Sequence, residues 1–360
     1  MSAILESYQI TRFRLPLRRI IGDSQVRFDK ILIAALELRT QSGQIGLGFV
    51  NAFSLPSQKE LERTFEAEDW PSLQGESIYP LLNRLTRPRG GNNRSHLFGE
   101  ALNQALWDLH GKEVGLPLYR LLGGTKNRVR AYASGLEYHL TSTQVHDFYS
   151  NAVKQGFSAF KVKVGHPDLA WDIARLRDVL SVVGSEATLM VDANEAWSPK
   201  MAIRALHAYR DAGINIYWVE DPCLRDDYEG LARVCTEVPF AFVNTGEYLD
   251  LRGKRQLLEH RAVEILNVHG RLSHVMHAAW LASEYGIPVS LGNTTCEIGV
   301  HLAAALPEVG WLENSMIGWD ALVAEPIKFE DGYAIAPDRP GHGLTLSEAA
   351  RAEFASPEGM

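Results

Sequence analysis

Three acidic residues, Asp192, Glu220 and Glu247, recur at intervals of 28 and 27 positions. Each follows a short apolar, β-branched run, at 188–191, 216–219 and 240–243. One run earlier, Phe160-Lys161-Val162-Lys163-Val164 carries two lysines on alternate residues. Desolvating a lone carboxylate or ammonium is costly, so charges at buried strand ends call for partners. Three carboxylates and two ammoniums at matching strand ends predict one shared site. The natural guest for three such oxygen donors is a hard divalent cation such as Mg2+, with Mn2+ as an alternative.

Residues i and i+2 of a strand share a face, so Lys161 and Lys163 point the same way. Val162 and Val164 suit a layer of covering helices, which places both lysines in the interior. Side-by-side ammoniums beside a dication disfavour protonation, so at least one pKa should fall toward neutrality. That is how a lysine becomes a general base. Asn194 repeats the spacing beside Asp192 and is expected to be a neutral supporting or substrate-binding group, although Asp-Ala-Asn alone also reads as a turn. Asp221 faces away from Glu220 and is expected to support it, with Pro222 ending the strand.

Such a site needs a frame that brings strand ends together. From about residue 129 the chain alternates strand and helix, with strands expected at 129–133, 159–164, 188–192, 216–220, 240–243, 263–268, 288–291 and 310–313. Helical periodicity fills segments between them, such as 167–180, 199–212, 226–236 and 272–285. Eight alternating units point to a (β/α)8-type barrel, whose sites lie at the carboxyl ends of the strands. An open doubly wound sheet is disfavoured because no Gly-rich phosphate fingerprint follows the first strand. The first 125 residues read as α+β, with extended stretches at 7–15, 30–39 and 44–50 and helices at 57–66 and 96–114. Leu102, Ala105, Leu106 and Leu109 fall at helical spacing and belong to a core. After Glu313 the chain turns irregular, with a strand-like stretch at 327–335 that is expected to return to the N-terminal unit. The expected units are 1–125, 126–325 and 326–360.

Composition narrows the partners. A chain of 360 residues with 46% hydrophobic and 22% charged residues can bury a barrel and a smaller unit. A net charge of −8 argues against a nucleic-acid surface. No secretory signal opens the sequence, and no apolar run reaches the roughly 18 residues that a membrane span requires. Cys223, Cys235 and Cys296 are few, odd in number and widely spaced, which suits reduced thiols in a cytoplasmic protein.

The set Lys-x-Lys, Asp-x-Asn, Glu-Asp-Pro and Gly-Glu, in this order and spacing, resembles the enolase superfamily. Lys161-Val-Lys163-Val-Gly165 further resembles its mandelate racemase branch, within the mandelate racemase/muconate lactonizing enzyme-like group. Residues 105–124 resemble the last helix of that family's capping domain and the link into its barrel. The resemblance spans nearly the whole chain. It implies a modified (β/α)7β TIM-type barrel with an α+β capping domain, and one Mg2+ per subunit on Asp192, Glu220 and Glu247. It also implies removal of the proton α to a carboxylate, with Lys163 as base and Lys161 stabilising the enediolate. Glu313, in Trp-Leu-Glu at the last strand, matches the position that bonds the substrate carboxylate from the other side. A homo-oligomer, from dimer to octamer, is expected.

The pattern departs from that branch on the opposite face of the site. Where an aspartate is expected after the sixth strand the chain reads Ile265-Leu-Asn-Val-His269-Gly, and Asn293 falls where a histidine is expected after the seventh. The usual His–Asp dyad is missing. Either His269 is itself the second acid/base, since imidazole titrates near neutrality, or Lys163 works alone and returns its proton to a leaving hydroxyl. Substrate contacts are expected from Asn194, Asn293 and the capping loops at 18–24, 51–55 and 87–94, where Arg19 and Arg89 would suit an acidic or polyhydroxy ligand. The expected activity is an acid-sugar dehydratase acting on a small-molecule carboxylate, a hydro-lyase reaction. Alternatives are a racemase, epimerase or cycloisomerase sharing the enediolate, and a silent metal- or ligand-binding homologue.

Overall fold

The computed structural model describes residues 3–52, 54–86 and 97–357. Strands β1 (Leu5–Gly22), β2 (Arg27–Thr40) and β3 (Ile45–Ala52) form an antiparallel sheet in that order. The run at 31–36 is apolar throughout because both faces of β2 are buried. Leu32, Ala34 and Leu36 join the core under the capping helices, whereas Ile31, Ile33 and Ala35 join the barrel core. Strict alternation along a strand explains that division. Helix α1 (Gln58–Glu68) opens on a capping box between Ser57 and Glu60. Helices α2 (Ile78–Thr86), α3 (Gly99–Val114) and α4 (Leu118–Leu121) follow. Helix α3 lies so close on β3 that a Cβ at Gly48 would sit 2.0 Å from the Ala101 carbonyl oxygen.

Eight parallel strands then close a barrel: β4 (Arg128–Ser134), β5 (Ala159–Lys163), β6 (Thr188–Asp192), β7 (Trp218–Glu220), β8 (Phe242–Thr245), β9 (Ile265–Val268), β10 (Val289–Leu291) and β11 (Val309–Asn314). Pairing of Leu312 with Ala131 and of Asn314 with Ala133 joins the last strand to the first. The connecting helices are α5 (Ser142–Lys154), α6 (Leu169–Val183), α7 (Pro199–Asp211), α8 (Tyr228–Glu237), α9 (Leu251–Glu259), α10 (Leu272–Ser283) and α11 (Val300–Ala305). Tyr132, Ala159, Met190, Trp218 and Ile265 form a buried cluster, so part of the barrel is a packed core.

The C-terminal stretch differs in one respect from expectation. Strands β12 (Lys328–Glu330) and β13 (Tyr333–Ile335) form a hairpin, and β13 pairs antiparallel with β4, so this stretch extends the barrel sheet. The return to the N-terminal unit comes later, through α12 (Glu348–Phe354). There Arg351 donates to Thr11 Oγ1 at 2.9 Å and to Glu37 at 2.5 Å. Buried Asp108 on α3 also ties the parts, accepting from the amides of Leu47 and His342 at 3.0 Å each. Among the described residues no helix is long and apolar enough to cross a membrane.

Candidate active site

The charged residues sit together because the parallel register aligns them. Lys163 is the Cα partner of Asp192, and Asp192 of Glu220. Lys161 Nζ donates to Glu220 Oε1 at 2.8 Å and lies 3.2 Å from Glu313 Oε1 and 3.5 Å from Asp192 Oδ2. Lys163 Nζ donates to Asp192 Oδ2 at 2.5 Å and to Asn194 Oδ1 at 2.8 Å. Both lysines, Asp192, Glu220 and Glu313 are buried. Together with Glu247, Asn194 and Asn293 they line a cavity of about 340 Å³, a size that suits a small ligand.

The electrostatics differ from the expectation for the lysines. Burial opposes the charge on each, but Glu220 and Glu313 raise the Lys161 pKa and Asp192 raises that of Lys163. Neither ammonium falls toward neutrality while the carboxylates face it directly. The expected fall requires a cation to take up those carboxylates. Glu220 shows why they would accept one. Burial, and after it the like charges of Asp192, Glu313 and Glu247, push its pKa well above the usual range despite Lys161. Its second oxygen, Oε2, is buried with no hydrogen-bond partner. An all-carboxylate donor set with an orphaned buried oxygen fits a hard dication such as Mg2+. Among the described residues no three acidic side chains are already gathered as a coordination shell; the lysine ammoniums sit against two of them.

Asn194 is placed beside Lys163 by a different route from the one expected. The strand ends at Asp192, and Asn194 stands at φ 47° in a turn whose amide donates to Asp192 Oδ1 at 2.9 Å. The turn, not strand alternation, aims its side-chain oxygen at the base. Asp221 supports the site from behind, accepting from Thr245 Oγ1 at 2.5 Å and pairing with Arg225 at 2.8 Å. Burial, opposed by Arg225, raises its carboxyl to about 6.

Two expected residues are not brought to the cavity wall. His269 is half-buried and is not among the lining residues, its Nδ1 bonded to the backbone oxygen of Asn293 at 2.6 Å and its ring 5.7 Å from that of Tyr248. Asn293, not His269, reaches the cavity. Arg19 spends its guanidinium on the carbonyls of Met316 at 3.0 Å and Gly135 at 2.6 Å, and lies over the Phe148 ring. Arg89 lies outside the described residues, as does the whole loop at 87–94.

Other lining residues escaped sequence reasoning. The β1–β2 hairpin tip contributes Asp23, Gln25, Val26 and Phe28. Arg225 joins the wall, 3.1 Å from Glu195 and stacked 4.8 Å over the exposed ring of Tyr248. The one available signal was position: Tyr248 follows Glu247, and Arg225 lies four residues after Asp221 in a loop where no helix rule applies.

A parallel barrel with carboxylates and lysines at the carboxyl ends of its strands and an α+β cap defines a metal-assisted enzyme class. Residues 144–350 match the family model described as enolase C-terminal domain-like. The chain belongs to that family, within the mandelate racemase/muconate lactonizing enzyme-like part of the enolase superfamily. It is 34% identical to the 3,6-anhydro-alpha-L-galactonate cycloisomerase of Streptomyces coelicolor, over 95% of this chain and 97% of that protein. A Mesorhizobium loti structure described as a mandelate racemase candidate superposes with TM-score 0.94 at 51% identity, covering 99% of this chain and 96% of the other. The L-talarate dehydratase of Polaromonas, solved with Mg and L-glucarate, superposes with TM-score 0.83 at 31% identity over 98% of each chain.

Proposed function

We propose that the protein is an Mg2+-dependent acid-sugar dehydratase. Lys163 removes the proton α to the substrate carboxylate. Its Nζ is aimed by Asp192 and Asn194, which hold it at 2.5 and 2.8 Å. Lys161, 3.2 Å from Glu313, faces the charge that develops on the carboxylate, and Glu313 would bond that carboxylate only through a shared proton. Asp192, Glu220 and Glu247 would hold the ion, which supplies Lewis-acid stabilisation of that charge. Lys163 then returns the proton to the departing β-hydroxyl. The α C–H and β C–O bonds break, water leaves, and the enol ketonises to a 2-keto-3-deoxy acid.

The observation that carries this reading is that Asn293, and not His269, lines the cavity. Inverting a carbon requires proton transfer on both faces, and an amide side chain on the wall is no acid or base for the second. Lys163 is then the one base at work. The similarity to a cycloisomerase supports a second reading, since that chemistry can also start from a single-base enediolate. The unpaired thiols of Cys223, Cys235 and Cys296 fit a reducing, cytoplasmic setting.

A library of sugar acids incubated with Mg2+ in D2O separates these. A 2-keto product supports dehydration. Deuterium uptake with no loss of water shifts the reading to isomerisation. Neither event with any acid, in a protein that still binds Mg2+, refutes the enzymatic reading.

A further inference from the structure

Lys254, on the first turn of α9, is fully buried. It donates to the backbone oxygen of Gly246, to that of Leu249 at 2.7 Å, and more distantly to that of Glu247 at 3.4 Å. No carboxylate among the described residues stands within ion-pair distance of it. The nearby His274 cannot compensate it, because an imidazole is either neutral or a second cation, and burial and then Lys254 hold its pKa down to about 3. An amine buried without an acidic partner is costly, and a hydrophobic residue would fill the same volume. All three carbonyls it gathers belong to the single turn that carries Glu247 and Tyr248.

We propose that Lys254 is a positioning residue that clamps the turn at 246–249 so that the Glu247 carboxylate is preset for the metal. The inference rests on the reading of Glu247 as the third metal ligand. Outer groups that orient ligands commonly matter to affinity nearly as much as the ligands themselves. Here the orienting contact is made to the ligand's backbone, from a helix rather than from the metal's own shell. The turn's order is therefore a property of the protein before any ion arrives.

The test is Mg2+ affinity by calorimetry on metal-stripped protein. Lys254→Met should weaken binding about 10- to 100-fold. Lys254→Arg, which keeps a cation and donors, should recover part of that loss. Val275→Ala, a truncation in the buried face of α10, controls for lost stability and should bind as wild type does. Affinity of Lys254→Met within twofold of wild type overturns the proposal, and so does an equal loss in the α10 control. Should the methionine variant not fold, amide hydrogen exchange of the wild type decides. The Leu249 amide, bonded to the Gly246 oxygen at 3.1 Å, should be protected without Mg2+; protection that appears only with Mg2+ overturns the clamp. Glu247→Gln separates the two levels. If it binds Mg2+ as wild type does, the ligand reading itself fails; if it loses Mg2+ while Lys254→Met does not, only the clamp fails.

Discussion

Replacing Lys161 by Met should expose how much of this fold's stability is held hostage by its site. The ammonium faces Glu220 at 2.8 Å, Glu313 at 3.2 Å and Asp192 at 3.5 Å, and all four side chains are buried. Methionine fills similar space but leaves three carboxylates without that charge. Removing one partner of a buried ionic group costs about 3–5 kcal/mol. For a chain of 360 residues that lowers the unfolding midpoint by roughly 4–7 °C. The loss has a pH signature. Glu220 already holds its proton more tightly than usual through burial and its acidic neighbours, and removing Lys161 raises that pKa further. A carboxyl with a raised folded pKa contributes stability at low pH that is lost as pH rises through the folded value. The deficit of the variant should therefore be larger at pH 8 than at pH 5.5. Saturating Mg2+ should restore about 2.7 kcal/mol at a hundredfold excess over its dissociation constant. Thermal unfolding in EDTA and in Mg2+ at both pH values measures all of this. A loss below about 1 kcal/mol at pH 8 in EDTA, or a loss equal at the two pH values, refutes the reasoning.

Lys163→Met should abolish α-proton exchange, by at least about 10³-fold, while Mg2+ binding persists or tightens because Asp192 is freed from its 2.5 Å contact; isotope exchange and calorimetry on one preparation check both. Glu297 is buried, and that burial, with Asp320 and Glu313, lifts its carboxyl to about 8 from an ordinary 4.5. Its contribution is present below about pH 4.5 and lost as pH rises through 8, so the wild type should lose about 2–5 kcal/mol across that window relative to Glu297→Gln; parallel stability curves against pH would show no divergence if the assignment is wrong. Gly48→Ala drives a Cβ to within 2.0 Å of the Ala101 carbonyl and should cost roughly 1–3 kcal/mol; an unchanged urea midpoint would mean that α3 can back away from β3.

The barrel and its charged centre were legible because burial leaves a simple trace. Strands covered by helices read as apolar runs, and a charge that ends such a run stands out against them. Lys161, Lys163, Asp192 and Glu220 all declare themselves in that way, and the regular βα spacing carries Glu247 along. What lay hidden depends on turns and on contacts between distant segments. Strands β7 and β8 begin at Trp218 and Phe242, two residues later than the runs suggest, because an apolar run marks burial and not the ladder itself. Lys254 lies in a short polar helix, where a lysine reads as solvated; only the fold shows the turn beneath it. His269 and Arg19 have the right residue types near the right place, yet neither lines the cavity, and each places nitrogens on backbone carbonyls instead. No pattern of spacing reports which way a side chain turns.

The capping sheet does more than cover the mouth. Gln25, at the tip of the β1–β2 hairpin, donates to the backbone oxygen of Asn194, whose side chain accepts from Lys163. The hairpin thus reaches the base through one residue. The same contact gives a physical reason for the glycine in Lys161-Val-Lys163-Val-Gly165. At φ 103°, a conformation that side chains resist, a Cβ on Gly165 would stand 2.8 Å from Ala196 Cβ and 3.3 Å from Ser24 Oγ. Any larger residue would push against the turn that carries Asn194 or against the hairpin beside Gln25. Two residues past the strand that supplies both lysines the chain must therefore carry no side chain, so that a distant hairpin can close down on the turn beside it. Positioning of the base and closure of the cavity are in that sense one packing problem, solved at a single glycine.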